Sequence, residues 1–127
     1  MKPTILAILA FAVLFVSSPA FAHHGASGYD MQKMVTGKAT ITGFEWSNPH
    51  GQIHFDMMDD KGAVQHWTVE TPPPSLLVDK NWNRKSLHPG DEVTIYFHAA
   101  KNGALFGIIQ KVVFPSGTEL VAYPDQR

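Results

Sequence analysis

The stretch Gly43-Phe44-Glu45-Trp46-Ser47-Asn48-Pro49-His50-Gly51-Gln52-Ile53-His54-Phe55 constrains the fold more than any other part of the chain. On either side of its centre, apolar and polar side chains alternate with a period of two, the pattern of a strand with one buried face. Between the two runs lies Asn48-Pro49-His50-Gly51, where proline fixes one backbone angle and Asn and Gly tolerate the others. The stretch is therefore a strand, a tight polar turn and a second strand. An isolated hairpin is at best marginally stable in water, so it needs further sheet around it.

The rest of the chain supplies that sheet. Residues 35–46 read as the first strand: Ala39 and Ile41, then Phe44 and Trp46, keep a two-residue period with a phase slip at Gly43. A glycine at a phase slip predicts a bulge that bends the strand. Residues 52–58 form the second strand, with Ile53, Phe55 and Met57 on one face. After the turn Asp59-Asp60-Lys61-Gly62, residues 63–71 form the third, with Gln65, Trp67 and Val69 on one side. Pro72-Pro73-Pro74 ends the sheet, because proline cannot donate to a ladder. Ser75 is placed to cap a short helix through about Lys80 that buries Leu76 and Leu77, with Trp82 beneath it. Residues 92–99 and 105–114 form the fourth and fifth strands, and residues 118–123 add a short edge strand. Three strands, a helix and two or more strands is the order of an OB-fold barrel. The expected class is all-β with one short helix, a small OB-fold-like barrel of five or six strands. A β-sandwich is the alternative, but it gives no reason for a helical segment after the third strand.

A leader precedes this domain. Lys2 gives a positive start, residues 5–16 are apolar but shorter than the roughly 20 residues of a spanning helix, and Ala20-Phe21-Ala22 is a small-x-small cleavage pattern. The expectation is a signal peptide at 1–22, cut between Ala22 and His23, and a periplasmic or secreted protein. Removing 22 of 127 residues leaves 105, enough for one domain with a modest core. Residues 23–34 then form an irregular N-terminal segment, 35–123 the OB-like domain and 124–127 a polar tail. Nothing in the mature chain reads as a membrane span.

With no cysteine, the domain has no disulfide, no thiol nucleophile and no thiolate metal site. Ten Lys and Arg face eleven Asp and Glu, and loss of Lys2 takes the formal charge from −1 to −2. No basic stripe is present, which argues against a nucleic-acid partner. There is no Gly-x-Ser-x-Gly elbow, no His-Glu-x-x-His helix and no phosphate-cradling glycine loop, so hydrolytic chemistry finds little support and the leading expectation is a non-enzymatic protein.

Seven histidines carry what chemistry remains. After the cut, His23 would offer an α-amine and a ring nitrogen to one metal ion. His24, as second residue, would add the amine–amide–imidazole geometry that suits Cu(II). His50 or His54 would complete such a site. His54 and His66 fall on the non-core face of neighbouring strands and form a second choice of ligands. Against these readings, a His-His terminus is also simply polar, and a histidine in an Asn-Pro-His turn is ordinarily bonded to backbone. Glu70, at a strand end, is placed to orient a histidine ring, or else is a solvated charge. Trp46, Trp67 and Trp82 are either core residues or an aromatic platform for a flat ligand.

Taken together, His23-His24, Tyr29-Asp30, Glu45-Trp46-Ser47-Asn48-Pro49-His50, Trp67-Thr68-Val69-Glu70, Leu76, Trp82 and Leu87-x-Pro89-Gly90-Asp91-x-Val93 form a pattern over nearly the whole mature chain. It resembles a family of small exported bacterial proteins known only as a domain of unknown function. The resemblance implies a compact β-barrel-like domain and export, and no activity. The chain departs from the family pattern at Asn81, where glycine is expected before tryptophan, and at Gly25-Ala26, where a Ser-Phe pair is common. Three functions follow as expectations: a non-enzymatic module binding copper or another transition metal through His23, His24 and His50; a metal-independent adaptor or ligand-binding module for an envelope protein or small ligand; and a copper-dependent oxidase.

Overall fold

The computed structural model describes residues 26–124, and the proposed leader, its cleavage site, His23 and His24 lie outside them. A 3-10 turn, Ala26–Gly28, leads into β1 (Val35–Glu45), β2 (Gln52–Met58) and β3 (Val64–Glu70). A short helix, α1 (Pro74–Leu77), runs on into a 3-10 turn, Val78–Lys80. Then come β4 (Glu92–Ala99), β5 (Phe106–Val113) and β6 (Glu119–Val121).

The sheet order is β3-β2-β1-β4-β5-β6, and β3 also pairs with β5, in parallel, at Thr68↔Phe106, Val69↔Gly107 and Glu70↔Ile108. That last pairing closes five strands into an OB-type barrel, with β6 added beside β5. Closure removes the edges an open sheet would leave. The bend that closure needs lies where the sequence predicts it. β1 shifts register on β2 between Ile41 and Gly43, so Thr42 is the extra residue of a bulge. The first half of β1 pairs with β4 (Val35↔Phe97 through Thr40↔Glu92) and the second half with β2 (Thr40↔Asp56 through Glu45↔Gln52).

The inward faces of the strands fill the barrel. Ile53, Phe55, Val69, Ile95 and Phe97 are fully buried. Trp67 and Phe97 meet edge-to-face at 4.9 Å, and Phe55 and Phe97 at 5.5 Å, geometries that aromatic quadrupoles favour. Trp67 and Trp82 are thus core residues, and Trp46, half-buried, meets Phe44 edge-on at 6.0 Å. The three tryptophans form no exposed platform.

The helix differs in detail from the sequence reading. Its N-cap is Pro73, and no side-chain hydrogen bond caps it, so Ser75 lies inside the first turn rather than before it. Pro74 takes the start of the helix, where its missing N–H costs nothing. Of the leucine pair, Leu77 is fully buried and Leu76 is 54% exposed. Beneath the helix, Trp82 donates its Nε1–H to the Val121 carbonyl at 3.0 Å, tying β6 to this segment. Asn81 has φ 66°, a left-handed backbone. That explains the glycine expected there: the position needs a residue that tolerates positive φ, and asparagine does so better than most side chains.

No helix among the described residues is long and apolar enough to cross a membrane.

Candidate functional site

The β1–β2 hairpin builds a polar face on the outside of the barrel. Its centre is His54, opposite Gly43 on β1 and Thr68 on β3. A Cβ on Gly43 would stand 3.3 Å from His54 Cδ2, so the missing side chain is what lets the ring lie across β1. Nε2 of His54 then reaches Glu45 Oε2 at 2.7 Å, and Nδ1 reaches Thr68 Oγ1 at 2.7 Å. An ionised carboxylate only accepts, so Nε2–H donates to Glu45. With the ring neutral, Nδ1 accepts from the Thr68 hydroxyl. With the ring protonated, the hydroxyl rotates and Nδ1–H donates to it. The hydroxyl–imidazole–carboxylate chain thus serves either state, and the tautomer is set by its neighbours.

His50 sits in the turn between β1 and β2, whose Asn48–Pro49 peptide bond is cis. Its Nδ1–H donates to the Thr71 carbonyl at 3.1 Å, and its own carbonyl accepts from Ser47 Oγ at 3.0 Å. Thr71 N–H donates in turn to Gly51 O at 2.9 Å. The turn is thereby clamped to the end of β3. Nδ1 is occupied, while Nε2 has no hydrogen-bond partner among the described residues. This is the backbone-bonded turn histidine weighed above, and it is also how a protein aims the second ring nitrogen outward.

His54 and His66 are both on the outer face, but they are not directly opposed. Asp56 stands across from His66, and its Oδ1 takes His66 Nδ1–H. Each histidine of the second-choice pair thus has its own carboxylate. Among the described residues no group of three or more His, Asp or Glu is placed to hold a metal ion.

Glu70 does not orient a histidine. Its Oε2 accepts from the Tyr29 hydroxyl at 3.1 Å, and the histidine-orienting carboxylate is Glu45. Tyr29 is buried, its ring stacked on Phe106 with centroids 6.2 Å apart. Burial first, then the nearby Glu70 charge, push its phenol pKa well above the ordinary value of 10, and the same causes raise Tyr123. Both phenols stay protonated and neutral at physiological pH.

His98 completes the hold on the lead-in segment. Its Nδ1–H is shared between the carbonyls of Lys33 at 2.8 Å and Asp30 at 3.1 Å. Tyr29 bridges to Ala100, and Asp30 N–H donates to Ala99 O at 2.9 Å. The described part of the irregular segment is therefore docked, and the Tyr29-Asp30 pair of the sequence pattern is its anchor. The pair across strands, Tyr29 with Glu70, was visible in sequence only as two separate motif fragments.

Fold and face together define a small OB-type barrel whose outer wall carries a paired histidine chain and a histidine-bearing turn beside a docked N-terminal segment. The chain belongs to DUF6152, a family of unknown function, whose model matches residues 11–110. A search of curated proteins finds no match.

Proposed function

We propose that this protein is exported after removal of residues 1–22 and binds a transition metal, copper above all, through His23, His24 and His50. The observation that carries the reading is the His50 ring. Its Nδ1–H donates to the Thr71 carbonyl, and Nε2, with no hydrogen-bond partner among the described residues, is available for a ligand bond. The N-terminal segment is also anchored beside this turn, because Tyr29 is fastened to Glu70, the residue before Thr71. His54 is a poorer ligand, because a metal there must displace Glu45 or Thr68. A cysteine-free chain holds Cu(II) through nitrogen donors, and amine, amide and imidazole from one terminus are such a set.

The test is Cu(II) titration of the protein beginning at His23, followed by EPR. One additional residue ahead of His23 should change the spectrum and weaken binding, and His50→Ala should remove one nitrogen from the hyperfine pattern. An identical spectrum and affinity in all three proteins would end this reading.

A further inference from the structure

At the other end of β1 the barrel wall is open. The β1–β2 ladder stops at Thr40↔Asp56, while β2 runs on to Met58 against β3 and β1 begins at Val35 against β4. The two strands part, leaving a groove of about 1090 Å³ between them. Ile41 exchanges backbone bonds with Gly90 and Asp91 on the β4 side. By the alternation of an antiparallel ladder, Ala39, Gly37 and Val35 also face β4, and the N–H and C=O groups of Thr36 and Lys38 face the groove. Among the described residues these groups have no strand beside them. The groove floor is apolar, with Met57, Trp67, Val93 and Phe114. Met57 closes it from below: a Cβ on Gly37 would lie 3.0 Å from Met57 Sδ. The banks carry Asp56, Asp59, Asp60 and Glu92 against the single base Lys38.

We propose that this groove binds an extended cationic peptide segment of a partner protein, which adds a strand to the open edge of β1 at Thr36 and Lys38. Edge addition supplies main-chain bonds, and alternate side chains supply selectivity. One set of the ligand's side chains would rest on the Met57–Trp67 floor, and the other would meet the carboxylates. The fitting sequence therefore alternates apolar and basic residues. An acidic segment meets like charge on both banks and is rejected. The site is separate from the His50 turn, so it stands or falls independently of copper binding.

A short fluorescent peptide alternating lysine and valine is the probe, with its glutamate–valine counterpart as control. Anisotropy should show binding of the basic peptide alone. Charge reversal by Asp60→Lys with Glu92→Lys should weaken it by about tenfold or more. Thr36→Pro, which removes an edge donor that faces no strand among the described residues, should weaken it comparably. Independently of any variant, amide exchange at Thr36 and Lys38 should slow in the native protein on adding the peptide. The proposal is overturned by equal binding of the acidic peptide, by indifference to the charge reversal, or by unchanged exchange at both amides. It is equally overturned if sedimentation shows the free protein dimerising with those two amides already protected, since the edge would then belong to a second copy.

Discussion

Replacing Gly51 with alanine tests how the His50 turn is built. Gly51 is buried where the turn meets the end of β3. An added Cβ would lie 2.6 Å from Thr71 Oγ1 and 2.8 Å from the Glu45 carbonyl. Neither neighbour can move freely: Thr71 is fully buried with its hydroxyl donated to Pro72 O at 2.8 Å, and the Glu45 carbonyl is β1 backbone. Relief requires the turn to lift away from β3. Overpacking of this kind costs about 1–3 kcal/mol. Weakening the Thr71 N–H bond to Gly51 O adds about 1 kcal/mol. The sum, about 2–4 kcal/mol, is a large share of the stability of a small domain. In urea denaturation it should lower the midpoint by about 1–2 M. Gly28→Ala is the control, because a Cβ there meets nothing within 4 Å, and its change should stay within about 0.5 kcal/mol. If the two variants unfold at the same midpoint, the clamped-turn account is wrong. The same lift should release the His50 ring from the Thr71 carbonyl, seen as a shift of its ring resonances.

Other consequences follow from the same contacts. Leu77→Ala should cost about 2–5 kcal/mol and Leu76→Ala under about 0.5 kcal/mol by denaturant melts, since only Leu77 is buried. Trp82→Phe leaves the Val121 carbonyl without its donor and should destabilise by about 1–3 kcal/mol, with amide exchange quickening first in β6. Tyr29→Phe should cost about 1 kcal/mol at neutral pH through the lost bond to Glu70. Its pH signature is sharper. The folded phenol pKa is raised, so above about pH 10 the unfolded chain releases this proton while the folded one retains it, and stability falls as pH rises. Tyr29→Phe should flatten that alkaline fall, and unfolding midpoints measured from pH 8 to 11 in both proteins check it.

The strands were legible because a two-residue period is local. Ile53, Phe55 and Met57 declare an inner face without reference to any partner, and Gly43 marks the bulge by breaking phase. The three prolines likewise ended β3 by removing donors, whatever the fold around them. Burial of Leu77 rather than Leu76 was not legible, because a single helical turn has too few residues to show a face. The side-chain partners of the polar face lay further off still. His54 finds Glu45 and Thr68 only once the β1 bulge and the β2–β3 pairing have set the register, and Tyr29 finds Glu70 across 41 residues only in the assembled barrel. Period and turn chemistry thus determined the elements and their order. The pairing of β1 with β2 and β4, and of β2 with β3, decided which polar groups meet on the outer wall and where β1 leaves β2 with an open edge, because strand register and separation are properties of the assembled sheet and no single segment encodes them.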